Sequence, residues 1–169
     1  AGGTGSTQVG STFGAGTGVS VDISTDLGLS VYAAAEEHKR EVTSSTAGSI
    51  TKDTFNGTVG AAYAYGPVTV GYQQWYNDAG AGTHYESDGM SVAFAVNENL
   101  SLSYAKIDET KLQAGLRSLT NIEASMKAYN VAYSMGSIAI KAHHGKFDNP
   151  DFVTTTSNEM TEISVSFAF

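Results

Sequence analysis

Glu162-Ile163-Ser164-Val165-Ser166-Phe167-Ala168-Phe169 closes the chain, and the way these residues alternate decides the fold. Ile163, Val165, Phe167 and Phe169 share one parity; Glu162, Ser164, Ser166 and Ala168 share the other. Successive side chains of a strand point to opposite faces, so the segment is apolar on one side and small or polar on the other. Chain ends in water are ordinarily polar and loosely held. This one carries its terminal carboxylate on an aromatic residue.

The same alternation recurs backwards through the sequence. Val19, Val21 and Ile23 lead to a turn predicted at Thr25-Asp26, and Leu27, Leu29, Val31, Ala33 and Ala35 return. Ser30, Tyr32, Glu36 and His38 lie on the opposite side of that returning strand. Val59, Ala61 and Tyr63 lead to Tyr65-Gly66-Pro67, and Val68, Val70 and Tyr72 return. Met90, Val92, Phe94 and Val96 precede Asn97-Glu98-Asn99, with Leu100, Leu102 and Tyr104 after it. Tyr129, Val131 and Tyr133 precede Met135-Gly136, with Ile138 and Ile140 after it. With the closing strand this predicts nine strands joined by short turns near residues 26, 66, 98 and 136. Residues 1–11, rich in Gly, Ser and Thr, read as loop, as does the polar stretch Lys39–Lys52.

Composition agrees with strands and tight turns: 19 Gly and 9 Tyr against 2 Pro and no Cys. The missing cysteines exclude a disulfide framework and a thiolate metal site. A net charge of −8 argues against a nucleic-acid partner. No apolar run reaches the eighteen residues of a membrane-crossing helix. The opening Ala1-Gly2-Gly3-Thr4 has no basic or apolar leader, so the chain reads as mature or as part of a longer one.

Charge separates the two ends of the hairpins. Near the short turns stand only Asp22, Asp26 and Glu98; nearly all the others fall in or beside the long connections, at Glu36–Glu41, Lys52-Asp53, Asp108–Lys111, Arg117 and Lys146–Asp151. Short turns at one rim and long charged loops at the other suit a transmembrane β-barrel. The aromatics gather at strand ends, Tyr63, Tyr65, Phe167 and Phe169 at one rim and Tyr72, Trp75, Tyr76 and Tyr104 higher, as suits a lipid–water interface. A soluble β-sandwich also alternates. It would carry more charge opposite its apolar faces, and it favours Greek-key connections.

The closing strand with its terminal Phe resembles the last strand of a bacterial outer-membrane barrel. More specifically, Ala128–Ala142, Ala64–Tyr72 and Thr161–Phe169 resemble the C-terminal half of an alphaproteobacterial (Rhodobacter-type) sixteen-stranded general porin. The resemblance covers most of the chain past residue 55. It implies an antiparallel up-and-down barrel, a homotrimer in the outer membrane of a Gram-negative bacterium, and contact with membrane lipid and lipopolysaccharide. It also implies passive diffusion of ions and small hydrophilic solutes, a constriction loop contributed by earlier strands, no cofactor and no enzymatic activity. Single-chain bacterial barrels have even strand numbers, so nine strands predict that N-terminal strands are missing here.

Parity then names the residues of the pore. Lys141, His143, His38, Glu36, Asp22, Gln73 and Glu162 are expected to line it; Ile163, Val165, Phe167 and Phe169 face lipid or the rim. Opposite charges across a constriction order water and filter solutes. The plainer alternative for Lys141, His143 and His38 is a solvated wall or loop residue. Asp148-Asn149-Pro150-Asp151 offers Asp148 and Asp151 as oxygen ligands for Ca²⁺, without the register of an EF-hand. Gly14–Gly18 lacks the Lys-Ser/Thr and helix of a phosphate loop. Two further readings stand beside the porin. One is a small barrel with a structural or adhesive role. The other is an outer-membrane enzyme using His38, His84, Glu86 and Asp88 at the rim, which acid–base chemistry would need within hydrogen-bond reach.

Overall fold

The computed structural model describes residues 11–42, 53–78, 83–113 and 122–168. They form β1 (Ser11–Ser24), β2 (Leu29–Val42), β3 (Thr54–Tyr65), β4 (Val68–Asp78), β5 (Thr83–Ala95), β6 (Leu100–Gln113), β7 (Ile122–Met135), β8 (Ile138–Asp148) and β9 (Ser157–Phe167). A short 3-10 turn of helix, Pro150–Phe152, lies between the last two. The nine strands make one antiparallel sheet in chain order, as the alternation predicts. Among the described residues no pairing joins β1 to β9.

The turns follow from local chemistry. Gly66-Pro67 alone separates β3 from β4, with Gly66 at φ 56°; Gly136-Ser137 separates β7 from β8, with Gly136 at φ 60°. Glycine first in a two-residue hairpin supplies the positive φ that matches the strands' twist. The first turn is longer than expected. Leu27 does not start β2 but sits in the turn, exposed, while the Thr25 amide donates to the Leu29 carbonyl at 2.9 Å.

Strands also run further than the alternation of apolar residues suggests. Ser11 belongs to β1 rather than to the opening loop, and β2 continues through Lys39 to Val42. Asp108–Lys111 and Lys146 likewise stand on strand ends rather than in loops. With 14 residues each, β6 and β7 reach about 45 Å at ~3.3 Å per residue, well beyond the ~25 Å apolar band of a membrane barrel. Backbone pairing carries the strand on where apolar side chains have given way to charge. Residues 1–10, 43–52, Arg117 and Phe169 lie outside the described residues.

Register divides the side chains into two faces. Ile163, Val165 and Phe167 share theirs with Ala142, Ile140 and Ile138, with Val131, Tyr133 and Met135, and so on back to Val19, Val21 and Ile23. These apolar residues stay uncovered: Ile163 is 70% exposed and Val165 51%. The few buried residues, Thr54, Gly60, Ser87, Ala124 and Ala128, all belong to the other, polar face. That face is the more crowded one. No large side chain is fully buried among the described residues. A single sheet with its greasy side bare has no internal core; its apolar face needs a partner from outside.

Candidate functional site on the polar face

The polar face carries two hydrogen-bonded ladders. Across β2, β3 and β4, Glu36, Asn56 and Asn77 stand in one register row. Asn56 Nδ2 donates to Glu36 Oε1 at 2.9 Å, and Asn77 Nδ2 donates to Asn56 Oδ1 at 2.7 Å. His38 Nε2 lies 3.4 Å from the second Glu36 oxygen. Gln73 Nε2 donates to Thr58 Oγ1 at 2.9 Å, which passes its own hydrogen to the Gln74 carbonyl at 3.0 Å. A cavity of 460 Å³ opens here, lined by Ser20, Glu36, Asn56, Thr58, Trp75 and Asn77 among others. A second, of 690 Å³, takes most of its lining from the apolar-face parity of β1–β6 and shares Ser20, Ala34, Thr58 and Trp75 with the first.

Across β6, β7 and β8 runs the other ladder. Asn130 Nδ2 donates to Ser103 Oγ at 3.1 Å, leaving its oxygen to accept from His143 Nδ1 at 2.6 Å. Glu162 is the register partner of His143 on β9, and Lys141 stands opposite Ala132 and Ser164. Of the expected pore residues, Asp22, Glu36, His38 and Gln73 therefore gather on β1–β4, and Lys141, His143 and Glu162 on β8–β9. Three strands separate the groups within the sheet. His144 points the other way and meets Thr161 Oγ1 at 2.8 Å, so the His143-His144 pair is split between faces.

Several sequence expectations change. Trp75, grouped with Tyr72 and Tyr76 at an aromatic rim, lies on the opposite face from both, its parity shared with Gln73 and Asn77. The polar face is not uniformly small and polar: Ile107, Met126 and Phe147 are register neighbours on it. His84, Glu86 and Asp88 share the apolar-face parity of β5, whereas His38 faces the other side from β2, so the four rim residues do not converge. Asp148 accepts from Lys146 at 3.3 Å, and Asp151 lies in the 3-10 turn at φ 56°. No grouping of three His, Asp or Glu side chains able to hold a metal occurs among the described residues.

The connection after β8 bends over the polar face. Asn149 Nδ2 donates to the Glu123 carbonyl at 2.9 Å, and its oxygen accepts from the Thr155 amide at 3.2 Å. Asn149, Asp151, Phe152 and Thr155 all have positive φ. Phe152 then meets Tyr85 of β5 with ring centres 5.5 Å apart, and Lys111 Nζ of β6 lies 5.6 Å from its centre.

The apolar face is stratified. Beyond Phe94, Leu102, Val131, Ala142 and Ile163 comes the row Tyr104, Tyr129, His144 and Thr161. Tyr104 and Tyr129 approach with ring centres 5.0 Å apart. The next row holds Lys106, Lys127, Lys146 and Glu159, directly opposite one another. Asp108 above pairs with Lys106 and accepts from Ser125 at 2.6 Å.

No known protein-family profile matches the chain, and no curated protein sequence matches it. Among solved structures it is similar to OmpT, an outer membrane protein of Vibrio cholerae, with a TM-score of 0.59 and 14% identity over 88% of this chain and 53% of that one. It is also similar to the NanC porin, with a TM-score of 0.52 and 12% identity over 91% of this chain and 93% of that one. The chain spans about half the length of the Vibrio protein. At these identities the likeness is one of fold: this is the antiparallel architecture of outer-membrane β-barrel proteins.

Proposed function

We propose that the sheet is wall of a water-filled outer-membrane pore, passing ions and small hydrophilic solutes by passive diffusion. The observation that carries the reading is its two-facedness. One side layers bare aliphatic residues, then Tyr104 and Tyr129, then Lys106, Lys127 and Lys146. The other offers amides, hydroxyls, carboxylates and histidine. Lipid accepts only strands whose backbone is fully paired, with apolar side chains outward and girdles of aromatic rings at the interfaces. A lysine row just past such a girdle stands at the depth of anionic headgroups, which supports contact with membrane lipid and lipopolysaccharide. Asp22 and Glu36 at one side of the wall and Lys141 at the other supply the opposed charges that filter solutes.

Reconstitution into planar bilayers tests the reading: stepwise ion conductance is expected, and its absence overturns it. The sixteen-stranded, trimeric form belongs to the same proposal. It is supported by the hairpin motifs of the sequence. An SDS-resistant oligomer that dissociates on heating is expected, and a native intact mass near 17.6 kDa would defeat the larger barrel. The apolar row Ile107, Met126 and Phe147 on the polar face favours a second reading, a narrower barrel with a structural or adhesive role. Migration only as a monomer would select it.

A further inference from the structure

The polar face holds two aromatic residues that the pore reading leaves without a task, Tyr32 and Trp75. Neither stands straight out from the wall. A β-carbon on Gly60 would overlap the tip of the Tyr32 ring, and one on Gly89 would meet the six-membered ring of Trp75 at 3.3 Å. Each ring thus leans along the sheet onto the neighbouring strand, and the missing side chain of the glycine is what gives it room. Both residues are only half-buried, so part of each ring stays open to the space in front.

Register places these rings in one line. Tyr32, Gly60, Gln73 and Gly89 are successive partners across β2, β3, β4 and β5. The rings therefore rest over Gly60 and Gly89, two strand spacings or about 10 Å apart, with the Gln73 amide between them. Its nitrogen donates to Thr58 Oγ1 at 2.9 Å, so its oxygen remains as the acceptor of that amide. Asp22 ends the row opposite Tyr32, and the Glu36–Asn56–Asn77 ladder runs parallel to it. Trp75 also lines the 460 Å³ cavity on this face.

Two ring surfaces bordered by amides and carboxylates match one class of solute. A sugar ring presents C–H groups on its broad face and hydroxyls around its edge. The first rest on an aromatic surface; the second exchange hydrogen bonds with Asn, Gln, Asp and Glu, which offer donors and acceptors at fixed positions. The spacing suits a short linear chain rather than a single ring. Among the described side chains of β1–β5 the polar face carries Asp22 and Glu36 and no lysine or arginine, so it repels carboxylated or phosphorylated sugars. From this arrangement we infer that Tyr32, Gln73 and Trp75 form a binding track for neutral linear oligosaccharides. The inference rests on the pore reading for its purpose, while the track itself is a matter of binding.

Trp75 is the chain's single tryptophan, so its emission reports on the track alone. The full protein in detergent is titrated with maltotriose, with polyethylene glycol of similar mass as control. A saturable change in emission is expected with the sugar and none with the glycol. Tyr32→Ala and Gln73→Ala should each raise half-saturation, the former roughly tenfold, with far-ultraviolet circular dichroism confirming that each variant is folded. A response that does not saturate, that the glycol reproduces, or that neither variant weakens overturns the inference. In bilayers the same sugar should give brief current blockades, shortened by Trp75→Ala. Conductance without saturable emission defeats the track and leaves the pore; saturable emission without conductance defeats the pore and leaves the track.

Discussion

Glu36 accepts a hydrogen bond from Asn56 across β2 and β3 at 2.9 Å, and through it is tied to Asn77 on β4. The carboxylate is thereby held at a fixed place on the polar face instead of sweeping through solvent. A fixed charge on a pore wall biases which ions pass. Glu36→Gln keeps the shape and the Asn56 bond but removes the charge. It is expected to lower the cation preference, changing the permeability ratio by roughly twofold, as read from the reversal potential in a salt gradient. Lys141→Gln should move it the other way. No movement in either would take both residues off the conduction path.

Face assignment is tested on the closing strand. Val165 belongs to the bare apolar face, Ser164 to the polar one. Val165→Lys is expected to cost about 2–4 kcal/mol at mid-bilayer, measured by denaturant unfolding in lipid vesicles. Ser164→Lys, opposite Lys141 on the polar face, should cost much less. Equal losses would contradict the two-faced reading.

Lys127 stands directly between Lys106 and Lys146, and like charges placed opposite one another in a sheet repel. Asp108 and Asp148 neutralise the outer two. If anionic headgroups sit against this row, Lys127→Glu should reduce co-purifying lipopolysaccharide, assayed by its phosphate content. Lys127→Ala in detergent should leave folding unchanged or slightly improved. Unaltered lipopolysaccharide in the glutamate variant would remove the row from the lipid contact.

Asn149 pins the β8–β9 connection by two side-chain hydrogen bonds while itself at φ 54°. Asparagine tolerates that conformation better than alanine. Asn149→Ala should loosen the connection by about 1–2 kcal/mol and free Phe152 from Tyr85. Limited proteolysis of the folded protein would then cut between residues 149 and 156 faster than in the parent, while the strands stay intact. Unchanged cleavage would mean the backbone bonds of the loop suffice.

How much of this was legible beforehand depends on what fixes each feature. A two-residue turn dictates its hairpin's register, so Gly66-Pro67 alone implies that Asn56 will oppose Asn77. The pairing of Glu36 with Asn56 crosses the long connection between β2 and β3, and no local signal sets it. The first ladder was therefore half readable. Height along the strand groups Trp75 with Tyr72 and Tyr76, whereas parity counted from Val68, Val70 and Tyr72 puts it on the other face. The strand ends at Lys39–Val42 and Asp108–Lys111 carry no apolar alternation, which stops before backbone pairing does. The tilt of Tyr32 over Gly60 leaves its only trace in the glycine itself, one among 19.

Every neighbour in this sheet is also a neighbour in sequence. Assembly can therefore proceed as a zipper: a hairpin closes over a tight turn, and each next strand finds its template already laid beside it. No segment has to be threaded past another, and the loop-closure cost stays low at every step for a β structure. The same order sets the vulnerability. Until a growing edge is covered it presents a full row of unpaired backbone groups, which lipid cannot accept and another chain can capture. For such a chain the hazardous moment is the interval between one strand's arrival and the next.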